Sequence, residues 1–202
     1  MEDKMLEKQK KSPSLQYLAY TIVVAQTLIC ILLSYSLFIG AGDFLIDGCK
    51  KIGFYNFCLH NANNDGGCRC ITQLEDLHSK LFTYEATLSL ILTYSSLVIV
   101  LMGLVTMVVA QGFKDDILWH FELGLNVLSL VGLFVGTSIH LFLNWDQYDL
   151  FQMTPGFWAL LLAIGGSALQ TYLLSRYVRL NRVLAECKTE DHAVKDLKVL
   201  VA

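Results

Sequence analysis

Four of the six cysteines fall within one short stretch, and they are the residues best suited to chemistry: Cys49, Cys58, Cys68 and Cys70. With His60 or His78 as a further ligand, they have the composition of a zinc site. The order Cys-Arg-Cys at residues 68–70 also places a cation between two thiols, which would favour a reactive thiolate. Structural disulfide bonds are the third interpretation, and the one we expect if the stretch lies outside the cell.

The sequence between these cysteines favours one pairing. Residues 52–60 are aromatic and β-prone, residues 61–67 consist mainly of turn formers, and residues 69–74 form a second β-prone segment. An antiparallel hairpin of this kind would bring Cys58 opposite Cys68 and leave the outer two cysteines to pair with each other. The stretch therefore predicts a small sheet closed by two disulfide bonds.

Two ionisable residues, Glu122 and His140, lie within the otherwise apolar run of residues 121–143, which is long enough to cross a membrane as a helix. They are 18 residues apart, or about 27 Å along a helix, so they do not form one proton relay. We expect Glu122 to reach a membrane surface and to pair with a cation or with His120, and His140 to be a hydrogen-bonded residue of the outer leaflet. Three other polar residues of the apolar runs are candidates for hydrogen bonds between helices: Gln26, Asn126 and Gln170.

No motif of an enzyme occurs. The chain has no phosphate-binding glycine loop, no helical pair of zinc-binding histidines and no Ser/His/Asp set confined to one side of the membrane. We therefore expect no catalysis, no cofactor and no small-molecule substrate. The net charge is −3 and the basic residues flank apolar runs, which favours contact with anionic lipid over nucleic acid.

Four apolar runs dominate the chain and must position all these residues: 17–39, 88–110, 121–143 and 157–177. Each is 21 to 23 residues long, and about 20 apolar residues in a helix cross the roughly 30 Å of hydrocarbon in a bilayer. None shows the polar stripe of a soluble helix. The sequence predicts an all-α membrane protein, a four-helix transmembrane bundle whose first partner is the lipid bilayer.

Basic residues predict the orientation of the bundle. Eleven Lys and Arg lie on the side of the two termini and four on the other, so the positive-inside rule places both termini in the cytoplasm, with the plasma membrane as the expected location. Cys187 on that side is a candidate for palmitoylation, and an unmodified thiol is the alternative. The predicted parts are cytoplasmic tails 1–16 and 178–202, a membrane domain 17–177, extracellular loops 40–87 and 144–156, and a cytoplasmic loop 112–120.

One stretch of the first loop resembles a known signature. Gly53-Phe54-Tyr55-Asn56-Phe57-Cys58, followed by Cys68, is similar to the Gly-Leu-Trp-x-x-Cys motif of the claudin and peripheral-myelin-protein superfamily. Residues 52–59 and 74–77 resemble the transmembrane protein 140 family more closely. The resemblance implies a left-handed four-helix bundle topped by a small extracellular antiparallel sheet. Three aromatic residues would then have a structural role between the sheet and the helix ends: Phe54, Tyr55 and Phe57.

Small residues in the third and fourth runs predict close helix packing: Gly132, Gly136, Gly165 and Gly166. Packing within the bundle is the favoured interpretation, and association with other membrane proteins or with a second copy is the alternative.

Two functions are compatible with this sequence. One is a claudin-like protein that acts through its first loop in cell adhesion, at cell junctions or in surface organisation. The other is an accessory subunit that modulates the trafficking or gating of another membrane protein, which the short loop 144–156 favours.

Overall fold

A computed structural model gives the fold of the chain. The structure describes the backbone of residues 2–39, 43–47, 50–54, 57–60, 68–71, 84–113, 116–143, 145 and 153–200. It describes side chains within residues 15–38, 53–54, 84–113, 117–143, 145 and 153–183.

Four long helices follow the four apolar runs: α1, Glu2–Ser34; α2, Tyr84–Phe113; α3, Asp116–Leu143; and α4, Pro155–Leu200. α1 continues directly into a π-helix, Tyr35–Ile39. Each helix provides a span that is long and apolar enough to cross a membrane: Leu15–Phe38, Tyr84–Phe113, Ile117–Leu143 and Pro155–Val183. A helix suits this setting because it satisfies its backbone polar groups internally. The prediction of an integral, multi-pass membrane protein is confirmed.

The start of α4 follows from its local sequence. Pro155 occupies the first helical position, where its fixed φ and missing N–H cause no loss of hydrogen bonding. Thr154 precedes it as the N-cap, because the backbone N–H of Phe157 donates to Thr154 Oγ1 at 3.3 Å. α4 therefore begins at a defined residue, which fixes the position of the helix at this end of the bundle.

The interior of the bundle is built largely from small and polar side chains. On α2 the buried residues recur at every third or fourth position and include Ser89, Thr93, Ser96, Gly103 and Ala110. The outward faces carry large apolar side chains such as Val105, Phe134 and Leu162, which are more than half exposed in the isolated chain. This distribution suits a bilayer, where lipid solvates apolar faces and helices associate through close packing and hydrogen bonds.

Two clusters of apolar residues complete the interior. We call the end of the bundle where α1 meets the first loop the loop end, and the opposite end the terminal end. The cluster of the loop end includes Leu33, Leu37, Phe54, Leu133 and Leu160. The cluster of the terminal end includes Ile22, Met107, Trp119 and Leu174. α2 and α3 form the most extensively packed pair of helices.

The fold prediction requires a correction in the first loop. Helices hold nearly all the residues whose side chains the structure describes, and from the loop these are only Gly53 and Phe54. The loop backbone runs through four short strands, paired antiparallel in chain order: β1, Asp43–Asp47; β2, Lys50–Gly53; β3, Phe57–His60; and β4, Cys68–Ile71.

The register of these strands also differs from the predicted hairpin. Cys58 lies opposite Cys70, and His60 lies opposite Cys68. The predicted alignment of Cys58 with Cys68 is therefore wrong. The connection does comprise residues 61–67, as the turn formers predicted. A connection of that length places His60 opposite Cys68, so two residues further along each strand Cys58 lies opposite Cys70.

The helices also extend past the limits that hydropathy predicted. α1 begins at Glu2 and α4 continues to Leu200, so the described parts of both predicted tails are helical. The connection between α2 and α3 is correspondingly shorter than the predicted loop 112–120, because α2 ends at Phe113 and α3 begins at Asp116. Hydropathy marks the part of a helix that lies in lipid, whereas backbone hydrogen bonding can continue into water.

Candidate functional site

One buried aromatic residue fastens the first loop to the bundle. Phe54 directly follows β2 and is only 2% exposed. The centroid of its ring lies 4.7 Å from that of His140 on α3, and 6.3 Å from that of Tyr94 on α2 in an edge-to-face arrangement. Gly53 beside it is also buried. The loop is therefore anchored to two helices at this point, which agrees with the structural role predicted for Phe54.

Hydrogen bonds from side chains frame this anchor. The Tyr94 hydroxyl donates to the carbonyl of Leu37 at 3.1 Å, and Ser36 Oγ donates to the carbonyl of Gly156 at 2.7 Å. Leu37 and Ser36 lie in the π-helix that ends the first span. These bonds tie the end of the first span to α2 and to α4, so all four helices are held together around Phe54.

Tyr94 was not predicted as a site residue, although the sequence carries a signal for it. Tyr94 is the one tyrosine in the apolar run 88–110, and a tyrosine hydroxyl that leaves water needs a hydrogen-bond partner. His140 was expected as a residue of the outer leaflet. In the structure the side chain of His140 faces the interior of the bundle, where it is 5% exposed and lies against Phe54.

The two glycines of α3 lie in its contact with α2. A Cβ atom on Gly132 would collide with the hydroxyl of Ser96, and one on Gly136 would lie 2.5 Å from Thr93 Oγ1 and 3.0 Å from the carbonyl oxygen of Ser89. Ser89 Oγ also donates to the carbonyl of Gly136 at 2.6 Å. Both glycines therefore act in packing within the bundle.

The two adjacent glycines of α4 face different surroundings. A Cβ atom on Gly166 would lie 3.3 Å from a side-chain carbon of Ile29 on α1. At Gly165 nothing lies within 4 Å, and Gly165 and Ala168 are both exposed. Gly166 thus packs against α1, whereas Gly165 opens onto the outer surface of the bundle.

A polar cluster lies in the interior and draws on all four helices. Gln26 on α1 donates to the carbonyl of Val100 on α2 at 2.8 Å. Its Oε1 accepts from Asn126 Nδ2 at 3.3 Å and from Gln170 Nε2. Thr171 Oγ1 lies 2.9 Å from Asn126 Oδ1. The predicted hydrogen bonds between helices for these three amide residues are confirmed, with Gln26 at their centre.

Glu122 also belongs to this interior, and its predicted placement is wrong. It is fully buried, and neither carboxylate oxygen has a hydrogen-bond partner among the residues that the structure describes. The reason is its position on the inward face of α3, four residues before Asn126 and three after the buried Trp119. His120 instead has its Nε2 3.2 Å from a guanidinium nitrogen of Arg182.

Aromatic and cationic side chains mark the terminal end of the bundle. The rings of Trp119 and Tyr177 are both buried, with centroids 4.6 Å apart. On the outer surface, the guanidinium of Arg176 lies 5.9 Å from the centroid of the Tyr172 ring. Such residues commonly stand at the level of lipid headgroups.

The cysteines and the other aromatic residues of the loop signature are only partly described. Cys30 is a free thiol, buried, with its sulfur 3.8 Å from the carbonyl oxygen of Val100. The side chains of the loop cysteines and of Phe57 lie outside the described residues, as does Tyr55. The same holds for the side chain of Cys187. Disulfide bonding of the loop cysteines and acylation of Cys187 therefore stay predictions, whereas the strand register opposes the particular pairing of Cys58 with Cys68. No cluster of three or more metal-binding side chains is found in the described part of the chain.

The chain matches the model of a known protein family. The model described as the TM140 protein family matches residues 9–193, which include all four spans and the first loop.

Proposed function

Since this chain belongs to the TM140 protein family, we propose that it is a non-enzymatic membrane protein that acts by binding other proteins through its first loop. The loop would then face the outside of the cell and both termini the cytoplasm, as the distribution of eleven against four basic residues favours. The function is cell adhesion or organisation of the cell surface, which the resemblance of residues 53–58 to the claudin signature supports.

The observation that carries this proposal is the anchoring of the loop by Phe54. A residue that is 2% exposed and lies against α2 and α3 holds the neighbouring backbone at a fixed place above the bundle. A binding surface that is ordered before the partner arrives loses less conformational entropy on association. The bonds of Tyr94 and Ser36 to backbone carbonyls add to this order.

The experiment compares the wild type with Phe54→Ala and Phe54→Leu in cells that touch one another. The tagged full-length protein is imaged where both neighbours express it and where only one does, after surface levels have been matched. Adhesion predicts enrichment where both cells express the protein, reduced at least several-fold in Phe54→Ala and retained largely in Phe54→Leu. Equal signal at both kinds of contact would contradict adhesion.

A second candidate function is that of an accessory subunit, and the surface around Gly165 favours it. Nothing lies within 4 Å of a Cβ atom placed on Gly165, and Ala168 on the same face is exposed. Small residues on an outward face let the helix of another membrane protein approach closely. In this role the chain would alter the trafficking or gating of its partner.

Its test is proximity labelling and co-purification with Gly165→Leu. The matched control is Gly124→Leu on α3, because Gly124 is exposed and also has nothing within 4 Å. An accessory role through α4 predicts that Gly165→Leu loses its partners while Gly124→Leu keeps them. If both variants keep the same partners, an accessory role through the α4 surface is contradicted.

A further inference from the structure

Three arginines lie on successive turns of α4 at the terminal end of the bundle. Arg176, Arg179 and Arg182 are all exposed, and α4 continues beyond them as a helix to Leu200. Residues three apart in a helix are neighbours on its surface, with a rise of about 4.5 Å between them. The three residues therefore form one basic strip, about 9 Å long along the helix axis, which we call the arginine strip.

The arginine strip lies at the depth of the lipid headgroups. About 20 helical residues cross the roughly 30 Å of hydrocarbon, and the apolar run that begins at Phe157 reaches this length at Arg176. The guanidinium of Arg176 lies 5.9 Å from the centroid of the exposed Tyr172 ring, an arrangement typical of the membrane interface. The headgroup layer adds about 5–8 Å on each side, so Arg179 and Arg182 extend through it.

No acidic side chain in the described part of the chain balances the arginine strip. The acidic side chains described there are Glu85, which stands in the first turn of α2 at the loop end, and Glu122, which is buried inside the bundle. In the sequence, residues 171–185 contain the three arginines and no Asp or Glu. The described surface at this end is therefore strongly positive and complementary to an anion.

His120 on α3 holds Arg182 in place at one side of the strip. A guanidinium nitrogen of Arg182 lies 3.2 Å from His120 Nε2. Because a guanidinium has only N–H donors, Arg182 donates this bond and the imidazole nitrogen accepts it. The bond orients the Arg182 side chain between α3 and α4, and a guanidinium has further N–H groups with which to bind an anion. A side chain positioned in this way loses less entropy when a ligand binds.

We propose that the arginine strip, with His120 positioning Arg182, binds the headgroup of a phosphoinositide, a membrane lipid that carries phosphate groups on an inositol ring. Arginine binds phosphate oxygens through pairs of parallel N–H bonds. A phosphomonoester carries a charge of about −1.5 to −2 and three acceptor oxygens, so a headgroup with several of them matches three guanidinium groups. Phosphatidylserine fits less well, because its net charge is smaller and the arginines repel its ammonium group. Phosphoinositides occupy the cytoplasmic leaflet, which fits the orientation proposed above, and their binding does not depend on the role of the first loop.

The test counts the lipid molecules that bind to the full-length protein in detergent, by native mass spectrometry. The protein is titrated with short-chain phosphatidylinositol bisphosphate, or with short-chain phosphatidylserine at the same total lipid charge. We expect saturation at one phosphoinositide per chain, with an affinity about ten-fold or more above that for phosphatidylserine. Equal affinity for the two lipids would overturn the proposal, since the arginines would then attract any anionic lipid.

Paired variants separate the site from the overall charge of the protein. Arg179→Gln with Arg182→Gln should weaken phosphoinositide binding about ten-fold or more, because charge-assisted hydrogen bonds to phosphate are lost. The matched control, Lys50→Gln with Lys51→Gln, removes the same charge from β2 at the loop end and should bind like the wild type. Both replaced arginines are exposed, so the unfolding midpoint should not change.

A further pair, Arg179→Lys with Arg182→Lys, keeps the charge and removes the bidentate geometry. Its affinity for phosphatidylinositol bisphosphate should fall between those of the wild type and the glutamine pair. Unchanged binding in the glutamine pair, or an equal loss in the control at the loop end, would contradict a site at the arginine strip.

Discussion

Replacing Gly136 with alanine should weaken the contact between α2 and α3. The added methyl group would lie 2.5 Å from Thr93 Oγ1 and 3.0 Å from the carbonyl oxygen of Ser89. The hydroxyl can rotate away, but a backbone carbonyl can move only if α2 moves as a whole. Forcing one extra methyl group into such a contact typically costs about 1–3 kcal/mol.

Alanine also stabilises a helix relative to glycine, which offsets part of this cost. The variant Gly165→Ala measures that offset separately. Alanine favours a helix over glycine by about 1 kcal/mol, so Gly136→Ala should lose about 0–2 kcal/mol of unfolding free energy. Gly165→Ala has the same intrinsic gain and nothing within 4 Å of the new methyl group. The difference between the two variants, about 1–3 kcal/mol, is then the packing term alone.

Thermal unfolding of the purified protein in detergent, followed by circular dichroism, measures this difference. A change of 1 kcal/mol shifts the midpoint by about 2–4 °C in a chain of this size. Gly132→Ala adds a second test, because its methyl group would meet the removable hydroxyl of Ser96. Adding Ser96→Ala should restore most of its stability. Equal midpoints for Gly136→Ala and Gly165→Ala, or no recovery in the double variant, would refute the reasoning.

Three further predictions test other parts of the structure. Phe54→Ala should lower the unfolding free energy by about 3–5 kcal/mol because it empties a buried site, measured as unfolding midpoint and as surface expression. Gln26→Leu should lower the unfolding free energy by about 1–2 kcal/mol, because three hydrogen bonds between helices are lost. The control Thr27→Val removes only a hydrogen bond within α1 at an exposed position, so it should be nearly neutral in the same assay. If the loop cysteines are oxidised, peptide mapping without reductant should join Cys58 to Cys70, which face each other in the strand register, and a Cys58–Cys68 peptide would contradict that register.

Hydropathy and residue type predicted a good part of the interior. Gln26, Asn126 and Gln170 were recognised as partners between helices because an amide in an apolar run has few other ways to be satisfied. Glycines at 132 and 136 were recognised for the same kind of reason, since a missing side chain is useful where two backbones approach. Glu122 was misplaced because its distance along the chain from the end of the run suggested access to the surface, whereas its angular position on α3 turns it inward.

The sequence by itself determined that this chain crosses a membrane four times. That conclusion depends only on the length of each apolar run against the thickness of the hydrocarbon layer, which is a local comparison. Only the tertiary structure decided which face of each helix turns inward, because a helix that is apolar on all sides gives little indication of its rotation. It therefore also decided that Phe54 meets Tyr94 and His140, residues distant in the chain, and that Glu122 lies against Gly103.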